Sequence, residues 1–194
     1  MLAFFEPTVK ELWNQIHAHM ADEAAWRAKI EADPSPEAHD RPYAPHTPLT
    51  REQMAHRVGR DMGRAWLRKR KAPESLDRLR DELLAENATW AKRMMISYRC
   101  KRALESMPDE AFVWRTTGRR DDGSIGQGDG WPKQGQLVLY FFETVGSHPG
   151  FFEGEEGGLD VFCGLFNGFL GGDVTHWMPM PGMDEEITFE LIHS

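Results

Sequence analysis

Only two of the 194 residues are cysteine, Cys100 and Cys163. A disulfide framework needs more, so the fold must rest on burial, and both thiols read as small, reduced core residues. Long apolar runs are missing as well. Nothing approaches the roughly 20 apolar residues of a membrane span. Residues 1–6 have neither a basic stretch nor an apolar run long enough for a secretion signal, so a cytoplasmic protein is expected. Glycine is scarce outside one region: fifteen of the eighteen fall between Gly118 and Gly172. Basic residues nearly vanish from 121–194, with one lysine against thirteen acids, whereas 51–71 hold eight Lys or Arg against two acids. Charge segregated in this way either pairs internally or offers two electrostatically different surfaces.

Several cofactor patterns are also missing. The Gly-rich stretch 123–130 lacks the Lys-Ser/Thr ending of a phosphate-binding loop. Asp121, Asp122 and Asp129, or Glu153, Glu155, Glu156 and Asp160, do not follow the spacing of a calcium loop, and no Cys/His cluster suits zinc. No cofactor and no metal are expected. What remains is a chain with 40% hydrophobic and 28% charged residues, enough for one ordinary domain or two small ones.

Four segments follow from the pattern. Thr8 and Glu11 form a capping box, and Val9, Leu12, Trp13, Ile16 and Met20 recur at helical spacing, so residues 1–32 carry a first helix, expected over 8–31. His17 and His19 stand two apart, not the four a helical metal pair needs, and read as solvated or rim residues. Residues 33–49 contain Pro34, Pro36, Pro42, Pro45 and Pro48 and read as an extended linker. Residues 50–107 read as two helices. The first opens on a second capping box, Thr50 and Gln53, and buries Met54, Val58, Met62 and Ala65. Arg57, Arg60, Arg64, Arg68 and Lys71 fall nearly opposite, taking about 100° per residue, as a single-sign stripe. The second is expected over 74–107, with Leu76, Leu79, Leu83, Trp90 and Met94 on one face and Cys100, Ala103 and Met107 on another. Two apolar faces point to a helical bundle or a dimer seam, with Asn87 as a residue that could set register.

From residue 108 the period changes. Residues 111–117, 136–144, 159–167 and 173–178 are strand-like runs bounded by glycines, and 186–192 alternate well enough for one more. In the 173–178 strand, Val174, His176 and Met178 are expected on one face and Thr175 and Trp177 on the other. The fold class is therefore α+β: an N-terminal three-helix region followed by a small antiparallel, Gly-rich β module over 108–194.

Within that module, Trp131-Pro132-Lys133-Gln134-Gly135-Gln136-Leu137-Val138-Leu139-Tyr140 precedes a Gly-rich middle and then Val174-Thr175-His176-Trp177-Met178-Pro179. Residues 112–181 resemble the "domain of unknown function 551" family, a short, mostly β module found largely in phage and prophage proteins. The resemblance implies a phage context and no particular activity. It leads to the first expectation, a non-catalytic phage or prophage accessory protein that binds a host or viral protein partner, with host takeover or counter-defence as its setting. Trp131 and Trp177 mark the expected binding face, and the helices are expected to self-associate. A second expectation is nucleic-acid binding through Arg57, Arg60, Arg64 and Arg68, since a basic helix face suits phosphates. A third is a small-ligand or nucleotide-binding module, or a hydrolase, centred on His176 with Asp173 or Glu143 as its orienting partner.

Overall fold

The computed structural model describes residues 2–32, 47–69, 75–84, 89–120, 124, 126–142, 146–156, 159–165, 168–171 and 173–183. Among these residues four helices come first: α1 (Leu2–Ala32), α2 (Arg51–Lys69), α3 (Leu76–Leu84) and α4 (Thr89–Ser106). Six strands follow: β1 (Arg115–Thr116), β2 (Leu137–Phe142), β3 (Gly146–Glu156), β4 (Leu159–Gly164), β5 (Gly168–Gly171) and β6 (His176–Pro179). The fold is α+β. No helix among the described residues is long and apolar enough to cross a membrane.

The capping box of α2 is made in both directions. The Thr50 N–H donates to Gln53 Oε1 at 3.0 Å, and the Gln53 N–H donates to Thr50 Oγ1 at 3.3 Å. Arg51, next in line, ties this end to α4: it donates to the Leu104 carbonyl at 2.9 Å and pairs with Asp109 at 2.6 Å. An arginine on the last carbonyls of a helix satisfies orphan acceptors at the negative end of its dipole. The box expected at Thr8 is different, because α1 starts at Leu2 and runs through it. Glu11 instead accepts a hydrogen bond from the Tyr98 hydroxyl of α4. Burial and that carboxylate push the Tyr98 pKa up.

Of the long helix expected over 74–107, the described residues hold α3 and α4, with 85–88 outside them; Ser75 accepts from the Arg78 N–H at the start of α3. Pro73 and Asn87 lie outside the described residues, as do 33–46 of the linker and the strand expected over 186–192.

All strand pairs are antiparallel, in the order β1-β6-β2-β3-β4-β5. Every residue of β2 is buried. Alternation sends Leu137 and Leu139 into one cluster with Phe151, Leu165, Met178 and Met180. That same cluster takes Val9, Leu12 and Ile16 from α1, Met54, Val58 and Met62 from α2, and Met94, Cys100 and Leu104 from α4. One core thus joins the helices to the sheet. Val138, Tyr140 and Phe142 face the other way and meet Phe152, Val174 and Trp177. Val174 was expected beside Met178; β6 begins only at His176, so alternation does not reach back to it.

Two strands escape the sequence pattern. β3 contains Pro149 and glycines at 146, 150 and 154, which argue against a strand. Pro149 is tolerated because its carbonyl accepts from the Leu165 N–H just past the end of β4, so its missing donor falls where that ladder stops. A bulge lies between Phe152 and Gly154, where φ is +126°. β5 is four residues bounded by glycine. The strand expected over 111–117 shrinks to the two residues of β1, preceded by a 3-10 turn, Asp109–Ala111.

Candidate functional site

β1 pairs Arg115 with Trp177 across the sheet edge, and the segment after it folds back so that Asp129 bonds Thr116 in both directions. The Asp129 carboxylate accepts from the Thr116 N–H at 2.8 Å and lies 3.3 Å from its hydroxyl. One residue on, the Gly130 carbonyl accepts from Trp177 Nε1 at 2.8 Å. These bonds bring Trp131 beside Trp177 and open a cleft of about 310 Å³. Leu137, Trp177 and Met180 are its buried lining, and Arg115, Asp129 and Lys133 are its exposed lining. The Arg115 guanidinium stands over the Trp177 ring, 4.9 Å from its centre. Arg119 stands over Trp131 at 5.6 Å, while Phe152 flanks that ring at 5.9 Å. Such contacts hold each cation in place and give each indole a charged neighbour.

The expected site residues separate. Trp131 and Trp177 line one cleft. His176 does not: it points to the opposite side of β6, 5.9 Å from the Phe141 ring, with Nδ1 3.0 Å from Thr175 Oγ1. Burial lowers its pKa. Asp173, its expected carboxylate, pairs with Arg119 at 3.6 Å, and Glu143 lies outside the described residues.

The first arginine of the stripe on α2 is not solvated. Arg57 is only 5% exposed, Asp61 8% and His148 7%. Arg57 Nε donates to Asp61 at 3.2 Å, and its NH2 group reaches His148 Nε2 at 2.8 Å. A guanidinium can only donate, so a ring nitrogen of His148 accepts from it: Nε2 is at 2.8 Å and Nδ1 at 3.2 Å, with Nδ1 3.7 Å from Asp61. Burial alone would raise the Asp61 pKa, but the His148 ring and the charges of Arg57 and Arg60 outweigh it and hold the carboxyl below its ordinary value of 3.8. Arg60 and Arg64 are half-buried. The Arg68 side chain and all of Lys71 lie outside the described residues. The helical wheel missed this because it cannot show that α2 has a strand beside it as well as α1 and α4.

His19 also differs from its expected place on the rim. It is 6% exposed, beside Gly59 and Lys101, and neither ring nitrogen has a hydrogen-bond partner. Burial first, then Lys101 and His56, lower its pKa from 6.5 to about 4. Cys100 is buried and free, and burial pushes its thiol pKa up. Among the described residues, no group of three or more His, Cys, Asp or Glu could hold a metal ion.

No family model, curated protein or solved structure matches this chain.

Proposed function

We propose that this protein works by binding a protein partner at the Trp131/Trp177 cleft, without turnover, as a phage or prophage accessory protein in the host cytoplasm. The observation that carries the reading is the cleft itself: buried apolar groups with three charged side chains exposed around them, beside the β1–β6 pair. Interfaces concentrate energy in such places, where aromatic and arginine anchors surround a dry centre. The phage setting, and with it host takeover or counter-defence, is supported by the resemblance of residues 112–181 alone. Self-association through the helices belongs to the same proposal.

The test is capture from a nuclease-treated host lysate with the tagged protein and with an Arg115→Glu/Lys133→Glu variant. Both side chains are exposed, so the variant should stay folded and lose only about 0.5–1 kcal/mol with the Arg115–Trp177 contact. A specific protein retained by the parent and lost by the variant is the expected result. Capture that survives the reversals, or that vanishes with nuclease, would refute the reading.

A further inference from the structure

The chemistry of the cleft narrows the partner further. Lys133 is the single Lys or Arg in 121–194, against thirteen acids, and it lines the cleft together with Arg115 of β1. Two cations therefore line one small opening. Asp129 lies between them in sequence, but its carboxylate is occupied by the N–H and hydroxyl of Thr116. Beneath the charges the lining is apolar and flexible: Leu137, Met180 and Met183. Methionine adapts to varied apolar side chains.

Two alternatives fit less well. Bases bind by stacking on open aromatic faces, and here each indole already has an arginine over it. A phosphate backbone also has no aliphatic group to set against the buried Leu137 and Met180. A single carboxylate next to an aliphatic group meets neither obstacle. A volume of about 310 Å³ accommodates a few side chains, not a folded surface.

We infer that the cleft takes an acidic peptide segment of the partner, placing a carboxylate between Arg115 and Lys133 and an aliphatic side chain against Leu137 and Met180. This rests on the reading of the cleft as the binding face. The geometry also limits how the segment runs. Pro179 has no N–H to offer on the outer side of β6, so the segment is held by its side chains and does not extend the sheet.

The test uses fluorescein-labelled hexapeptides and anisotropy: alternating Glu and Leu, alternating Lys and Leu, and alternating Glu and Ser, with a labelled thymidine oligonucleotide alongside. The Glu/Leu peptide should bind saturably, more weakly as salt is raised, and about tenfold or more weaker to Arg115→Glu/Lys133→Glu. Lys10→Glu, an exposed reversal on α1, should leave binding unchanged. Equal binding of the Lys/Leu or Glu/Ser peptide, or indifference to the double reversal, overturns the inference. So does cleft-dependent binding of the oligonucleotide in place of the peptide. A partner captured through the cleft with no Glu/Leu binding sinks this inference and spares the wider reading. Capture that ignores the reversals sinks the wider reading whatever the peptide does.

Discussion

Gly59→Ala should destabilise this protein, although the same change in an exposed helix would stabilise it by about 1 kcal/mol. Gly59 lies on α2 against His19 of α1 and Lys101 of α4. A Cβ built there would sit 2.3 Å from His19 Nε2, 2.7 Å from His19 Cε1 and 2.9 Å from Lys101 Cε. Both side chains are buried, but Lys101 meets the Cβ near the end of a flexible chain and can shift, whereas the His19 ring is a rigid plane. Overpacking of this kind costs about 1–3 kcal/mol, so the net effect should be a loss of about 0–2 kcal/mol. His19→Ala removes two of the three close contacts. In that background Gly59→Ala should regain its helical advantage of about 1 kcal/mol. The two changes should thus couple by about 1–3 kcal/mol in a double-mutant cycle. Urea unfolding of the four proteins, followed by circular dichroism, measures every corner. Equal stabilisation by Gly59→Ala in both backgrounds would show that α1 and α2 do not approach as described.

Three further outcomes are expected. Asp61→Ala should cost about 3–5 kcal/mol by leaving Arg57 buried without its carboxylate, and the loss with Arg57→Ala should be less than additive; a cost under about 1 kcal/mol would reduce the trio to a surface pair. His19 binds a proton less readily folded, at about 4, than unfolded, at 6.5, so its contribution is intact above pH 6.5 and is lost as pH falls toward 4. The drop should reach up to about 3 kcal/mol, and His19→Leu should flatten it relative to wild type; His176 slopes the same way in both proteins, so an identical pH profile would refute the assignment. Trp177→Ala should cost about 3–5 kcal/mol and lower the melting temperature, since the ring is buried and its N–H holds Gly130; an unchanged melt with lost partner capture would make it a contact residue instead.

The parts of the fold written in local chemistry were legible. Thr50 and Gln53 are three residues apart and bond each other, and the glycine-bounded runs around Leu137, Leu159 and His176 are strands. What stayed hidden depends on neighbours far along the chain. Pro149 looks like a strand breaker until Leu165 is known to end the ladder beside it. Arg57 looks solvated until His148 arrives from β3, and His19 looks like a rim residue until the missing side chain of Gly59 makes room for it. Trp131 and Trp177 could be singled out by type, but Arg115 and Lys133 were not. A cue did exist for Lys133, which is the lone Lys or Arg in an acidic stretch.

The placement of β6 sets a timetable for synthesis. β2, β3 and β4 each pair with their immediate successor, so each hairpin can close as soon as it leaves the ribosome. β1 has to wait for Trp177, and until β6 arrives one whole edge of β2 is bare. That edge belongs to Leu137–Phe142, six consecutive apolar residues and a ready template for pairing with another chain. Translation that stalls between residues 142 and 176 would leave it open. His176–Pro179 then covers that edge from within the chain, and β1 closes over its outer side in turn.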